Sequence, residues 1–361
     1  MDFRICRYFW TIELVAAMIV LFALPCWALF TWWLGCCVWS EAVVRNDRRG
    51  VVLMSSAVSG TYLHKVVERK KMEVDRILRL HQTDTDPLVM RMSYINSQSN
   101  FNVSKALRRD GYGQDELHTM SVLVDMKRRS PTGRVDLRNI VEYSSAAKFS
   151  ELLALGGADA LMINTEEIEY GGKVTDLKDC VKSLKSLKSS NNLSKSPPCI
   201  HKDIIIHPVQ IAQALEDGAQ GVLLIAAVVG SDLEVLLDSC TIMGTEAIVE
   251  VHTPNELEFA LSKGATIFLV NMWDRITNRL YPDQAKGMAS MLPVNTIAIA
   301  AGNICTLEHA SELGFYGYDG VVLGRGITQV PDIKEFIDSI HSFTGSPRSF
   351  GLGFKGLPWQ K

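Results

Sequence analysis

The sequence predicts a (β/α)8 TIM barrel, preceded by a leading amphipathic helix and, further upstream, by an apolar N-terminal segment. Three observations predict it. From about Met120 onward, short apolar, β-branched runs alternate with amphipathic stretches, the pattern of a parallel sheet covered by helices. Glycine follows several of those stretches, at Gly156-Gly157, Gly218, Gly264 and Gly314, where a C-cap turns the chain back toward a strand. Eight such units fit in about 225 residues without a Gly-rich dinucleotide loop after the first strand, which favours closure over an open sheet.

Residues 1–40 are the apolar segment. No charge interrupts Leu14 to Ser40, enough to span ~30 Å of hydrocarbon at about 1.5 Å per residue. Arg4 and Arg7 precede it while Glu41, Arg45, Arg48 and Arg49 follow, so flanking charge sets no orientation. Three readings fit: a membrane anchor in contact with the bilayer through residues 8–39, a targeting segment, or a non-native start to the reading frame. The run exceeds the ~7–15 apolar residues of a signal peptide, and it is poor in the Ser and Arg of a transit peptide.

Residues 41–117 read as linker and leading helix. Leu63, Val66, Val67, Val74, Ile77 and Leu78 recur at helical spacing from Tyr62 to Leu80, whereas 81–117 show no firm element. The barrel is assigned to 118–344. Its strands are Val122–Val124, Ala160–Ile163, Cys199–Lys202, Gly221–Ala226, Ala247–Val251, Thr266–Asn271, Thr296–Ala300 and Gly320–Gly324. Helical patterns lie at Ser145–Leu155, Pro208–Glu216, Asp232–Met243, Pro254–Ser262, Leu307–Leu313 and Asp332–Ser342. Val174, Leu177, Val181, Leu184 and Leu187 place another ahead of a solvated loop from Ser189 to Pro198. Residues 345–361 form a tail of Gly, Pro and aromatics, either disordered or a strap over the barrel.

Composition excludes some functions. With 361 residues, 47% hydrophobic, the chain suffices for one large domain and an appendage. Forty acidic against 37 basic residues leave a formal charge of -3, so no basic field invites nucleic acid, while small anions still bind locally. Cys180, Cys199, Cys240 and Cys305 lack metal-like spacing and read as reduced packing residues.

Groups at the C-terminal ends of barrel strands converge on one mouth. In strand order these are Asp125 and Lys127; Thr165, Glu166 and Glu167; Lys202 and Asp203; Glu250 and His252; then Asn271. The last two strands end in Ala301-Gly302-Asn303 and Gly324-Arg325-Gly326, where backbone N–H groups suit a phosphate and Arg325 adds charge. Lysines, carboxylates and an amide on one rim suit proton transfer on an anionic substrate. Taken singly, a strand-end Lys or Glu is more often a rim salt bridge.

The same residues carry a family resemblance. Lys127-Arg128-Arg129-Ser130-Pro131-Thr132-Gly133 resembles the Lys-x-x-Ser-Pro-Ser signature of indole-3-glycerol-phosphate synthases. Lys202-Asp203-Ile204-Ile205-Ile206-His207-Pro208-Val209-Gln210-Ile211 is similar to their Lys-Asp-Phe-Ile-Ile-Asp-x-x-Gln-Ile, and Leu223-Leu224-Ile225-Ala226-Ala227 and Val249-Glu250-Val251-His252-Thr253 also match. The likeness covers about Tyr62 to Ile340 and includes the leading helix. It implies a carboxy-lyase of tryptophan biosynthesis that closes the indole ring of 1-(2-carboxyphenylamino)-1-deoxyribulose 5-phosphate, losing CO2 and water, with no metal or organic cofactor. It implies Lys202 as general acid at the sugar carbonyl and Glu250 as general base. Lys127 then holds the anionic groups and assists dehydration with Asp125 beside it, and Asn271 orients sugar hydroxyls. Ser130, Gly302, Asn303, Gly324 and Arg325 fall at the substrate-binding positions. Plant members are plastidic, which implies a chloroplast for a plant chain.

Departures from the family pattern are specific. Asp125 replaces a Glu. The Asn-x-Arg after strand six reads Asn271-Met272-Trp273, which removes a cation unless Arg275 reaches round. Glu-Ser-Gly after strand seven reads Ala301-Gly302-Asn303, Ile204 replaces a Phe, and Gly324-Arg325 replaces Gly-Ser or Gly-Glu. Two alternatives therefore accompany the lyase: a non-catalytic, membrane-tethered barrel used for binding or assembly, and another phosphosugar enzyme.

Overall fold

The structure, a computed structural model, describes residues 61–93, 96, 102–108, 118–130, 143–328 and 330–345. The apolar segment, the linker and the tail beyond Gly345 lie outside the described residues.

Eight parallel strands close into a barrel: β1 (Ser121–Met126), β2 (Ala160–Asn164), β3 (Cys199–Lys202), β4 (Gly221–Ile225), β5 (Glu246–Val251), β6 (Ile267–Asn271), β7 (Ile297–Ala301) and β8 (Gly320–Leu323). Neighbours in sequence are neighbours in space, and β8 returns to β1 with Gly320 opposite Ser121. Both faces of each strand are covered, which is why the runs read as continuously apolar rather than alternating. Leu123, Met162, Ile200, Leu223, Ile248, Leu269 and Ile299 fill the interior, while Val122, Val124, Leu161 and Ile163 join the layer beneath the helices. Side chains of this size fill the barrel interior, which leaves the mouth as the open end of the barrel.

The helices form where their caps and apolar stripes say they should. Ser145, Thr253, Thr306 and Asp332 each accept a backbone N–H of the first turn, and Pro208 and Pro254 occupy first-turn positions that need no donor. Gly244 ends the helix Leu233–Met243 at φ +74°, a left-handed turn a side chain would strain.

The leading helix, Tyr62–Leu80, buries Leu63, Val66, Val67, Val74 and Ile77 at helical spacing. At about 1.5–3 kcal/mol for each fully buried aliphatic, this stripe suffices to hold it. It also buries Lys70, whose Nζ sits 2.9 Å from Asp203 Oδ1 and 2.9 Å from Glu73 Oε2. Asp203 in turn accepts from the Thr165 hydroxyl at 2.7 Å. Since a carboxylate only accepts, Thr165 takes its other bond from His201 Nε2 at 2.8 Å, fixing that imidazole's tautomer. Burial lowers the His201 pKa, so the ring stays neutral.

Two helices occupy the stretch where the sequence showed no firm element: Pro87–Ser93 and Asn102–Leu107. The second plugs the floor of the barrel. Val103 and Leu107 join the interior cluster, and the Glu246 carboxylate accepts from Val103 N at 2.8 Å and Ser104 N at 3.1 Å. A carboxylate at a helix start satisfies orphan donors and opposes the dipole. Six residues offer too few apolar positions for a period to show.

Candidate active site

The cleft at the C-terminal mouth is lined by Tyr62, Asp125, Lys127, Ser130, Tyr170, Lys202, Glu250, Asn271, Trp273 and Arg275, together with Gly302, Asn303, Gly324 and Gly326. The strand ends thus bring together Asp125, Lys127, Ser130, Lys202, Glu250, Asn271, Gly302, Asn303 and Gly324. The side chain of Arg325 lies outside the described residues, although its backbone opens a short 3-10 turn, Arg325–Thr328.

On one side of the mouth, Asp125 bridges two ammonium groups. Its Oδ2 lies 2.6 Å from Lys127 Nζ and 2.9 Å from Lys202 Nζ. Burial raises a carboxyl pKa, but two cations outweigh it here and Asp125 stays ionised. Its other oxygen is buried and accepts no hydrogen bond among the described residues. Lys202 is brought down to about 8, first by burial and then by the like charges of Lys127 and Arg275, with Asp125 opposing. An ammonium so placed gives up its proton near neutral pH, as an acid catalyst must.

On the other side, Glu250 is enclosed. Arg275 Nε lies 2.5 Å from Oε1 and Nη2 2.7 Å from Oε2, a fork-to-fork pair. His252 Nε2 and Asn271 Nδ2 each approach Oε1 to 2.9 Å. Burial opposes ionisation of Glu250, but Arg275 and His252 together hold its pKa well below the carboxylate range. His252 contacts Glu256 Oε2 through Nδ1 at 3.1 Å, and the two carboxylates outweigh burial to bring its pKa up to about 9. The ring is therefore an imidazolium donating at both nitrogens. Arg275 also donates to the Tyr170 hydroxyl, which bonds to Tyr62 of the leading helix.

Glycine makes the remaining wall. Gly302 has φ +105°, and a Cβ there would lie 3.0 Å from Asn271 Oδ1 and from the Met272 and Trp273 nitrogens. Asn271 Oδ1 itself accepts from Trp273 N at 3.1 Å, which aims its amide at Glu250. Any Cβ on Gly324 would point at Lys127 Nζ, 3.9 Å away.

Several strand-end groups do not face the cleft. Thr165 and Asp203 bind the leading helix through Lys70. Glu166 accepts from Glu169 N and Tyr170 N, shaping the loop after β2. Ile204, at the place of the family's Phe, is buried under the helices. Gln210 brackets the turn beyond it, accepting from Ile206 N and His207 N and donating to Ile204 O. Half of that motif is thus scaffold for Lys202.

A family model described as indole-3-glycerol phosphate synthase matches residues 63–340. The chain belongs to the indole-3-glycerol phosphate synthase family. It is similar to the indole-3-glycerol phosphate synthase of Opitutus terrae, 30% identical over 272 residues, which cover 75% of this chain and 94% of that one. The counterpart from Mycolicibacterium gilvum is 32% identical over 219 residues, 60% of this chain and 75% of its own. That from Roseiflexus castenholzii is 27% identical over 278 residues, 76% and 95% of the two chains. Against the family pattern, Asp125 replaces Glu yet still reaches both lysines. Trp273 occupies the arginine position after β6 and lines the cleft. Arg275, two residues further, does reach round, but onto Glu250. Arg275 falls outside the family's Asn-x-Arg spacing after strand six. It stands in the hairpin Trp273–Asp274 to Arg279–Leu280, which no local pattern announced.

Proposed function

We propose that this cleft closes and decarboxylates 1-(2-carboxyphenylamino)-1-deoxyribulose 5-phosphate, forming indole-3-glycerol phosphate with loss of CO2 and water. The observation that carries it is Lys202, buried, brought down to about 8 and facing the same cleft as Glu250. Lys202 protonates the ribulose carbonyl oxygen as the aromatic carbon attacks, so charge never accumulates on the alkoxide. Asp125 keeps Lys202 and Lys127 at fixed spacing, and Lys127 supplies the second proton needed when the hydroxyl leaves as water. Glu250 is the base that takes up a proton as the ring becomes aromatic. Asn271 and Ser130 orient hydroxyl and carboxylate groups, while the backbone at Gly302, Asn303 and Gly324-Arg325 takes the phosphate. General acid and base contributions of this kind are each worth roughly 10²–10⁴-fold.

The experiment is product formation by the full-length chain, followed through indole fluorescence. Fluorescent product that depends on Lys202 supports the reading. No product above background supports a non-catalytic barrel instead.

Residues 8–39 are read as a membrane attachment, and a plastid destination accompanies the family reading for a plant chain. Among the described residues no helix is long and apolar enough to cross a membrane, so the attachment rests on the uncharged run Leu14 to Ser40. Alkaline carbonate extraction of the full-length chain tests it, since a spanning segment keeps the chain in the pellet.

A further inference from the structure

Each cation described in the cleft already has a carboxylate partner: Lys127 and Lys202 share Asp125, and Arg275 takes Glu250. An anionic substrate therefore enters a mouth whose charges are paired with one another. Glu250 is the extreme case. Arg275 faces it from the hairpin, His252 from its own strand and Asn271 from β6, while Lys202 acts on it from across the barrel. Tyr170 accepts the remaining inward N–H of Arg275, Tyr62 bonds to Tyr170, and Glu256 holds the far side of His252. A carboxylate gripped at both oxygens cannot accept a proton without giving up charge-assisted bonds. Yet the proposed reaction needs this group as a base.

The partner that could relieve it is set by geometry. A guanidinium fork matches any carboxylate, and a benzoate-type carboxylate presents the same pair of oxygens as Glu250. Arg275 lies beside the rings of Tyr170 and Tyr62, its Cζ 5.7 Å from the Tyr170 centroid, surroundings that suit an aromatic acid. Gly302 and Gly324 also line the cleft, and their exposed backbone suits a phosphate.

We propose that Arg275, paired with Glu250 through both carboxylate oxygens, locks that base and is drawn off it by the aromatic carboxylate of the arriving substrate, freeing Glu250 to act. This rests on the ring-closing function above. Arg275 is a positioning residue for Glu250, and the exchange ties base activation to occupancy of the site.

The test uses the full-length chain and compares two pH profiles, since kcat/KM reports groups of the free protein and kcat those of the complex. In the wild type the acid-side midpoint of kcat is expected about one pH unit or more above that of kcat/KM. In Arg275→Gln the two midpoints converge and KM rises about tenfold or more, the loss of a charge-assisted pair. Arg275→Lys, with charge but no fork, falls between. Coincident midpoints in the wild type would mean Arg275 stays on Glu250, and overturn the proposal without any variant. Absence of turnover would be the failure of the proposed function, not of the lock. The lock is then read from the Glu250 carboxyl 13C shift, assigned with Glu250→Gln and titrated with and without anthranilate. An upward move of the midpoint with anthranilate supports the exchange, and an unchanged midpoint overturns it.

Discussion

The Asp125 carboxylate holds the Lys202 ammonium at 2.9 Å inside the barrel mouth, and the same oxygen holds Lys127 at 2.6 Å. Asp125 is the anion set between these two side chains, and it opposes the fall in the Lys202 pKa. Replacing it with Asn leaves them facing each other in a buried setting, where like charge and desolvation act together. Asp125→Asn is therefore expected to move the basic limb of kcat/KM down from about 8 by about one pH unit or more. Asp125→Glu, the family's usual residue, keeps the limb in place. A pH profile of each variant is the check.

Lys70 and Asp203 couple the leading helix to β3, with Nζ 2.9 Å from Oδ1. Removing only the cation strands a buried carboxylate. Lys70→Met is expected to lower unfolding free energy by about 3–5 kcal/mol, and Lys70→Met with Asp203→Asn by clearly less. Urea denaturation of the single and double variants measures the difference. Equal losses would place the effect in packing rather than charge.

His252 makes stability depend on pH in a defined window. Its folded pKa, about 9, is above the ordinary 6.5, so the folded state binds the proton more tightly. The stabilisation is full below about pH 6.5 and is lost as pH rises through about 9. Linkage puts its upper limit at about 3 kcal/mol. Chemical denaturation between pH 6 and 9.5 should show this decline in the wild type and a flatter curve in His252→Gln.

Gly302→Ala tests the wall behind Asn271. At φ +105°, with Asn271 Oδ1 and two backbone nitrogens 3.0 Å from any Cβ, the substitution must shift the end of β6 or strain the backbone. Asn271 then loses its aim at Glu250. A displacement of ~1 Å is enough for roughly 10²-fold in kcat, with a modest fall in melting temperature, read by steady-state kinetics and a thermal scan.

The barrel was legible because each strand is buried on both faces, so Leu223, Phe268 and Ile299 sit in unbroken apolar runs. Strand ends alone put Asp125, Lys127, Lys202, Glu250 and Asn271 on one rim, and all five line one cleft. What stayed hidden depends on contacts between distant segments. The Glu250–Arg275 pair hangs on a hairpin of two-residue strands, and the Glu246 cap joins residues 143 positions apart. Nothing in Thr165 or Asp203 told whether they face the mouth or Lys70, because a rotation about the strand end decides it. The likeness from Lys202 to Gln210 gives a site role to Lys202 alone, and the structure shows Gln210 supporting the turn that follows it.

If Lys202 is the proton donor for ring closure, its removal must slow single-turnover formation of indole-3-glycerol phosphate, compared between wild type and Lys202→Met. The expected result is a rate in the variant lower by roughly 10²–10⁴-fold, with no loss of thermal stability, because the buried ammonium is held at about 8 against an ordinary 10.5 and so opposes folding at neutral pH. Equal rates in the two proteins would contradict the account.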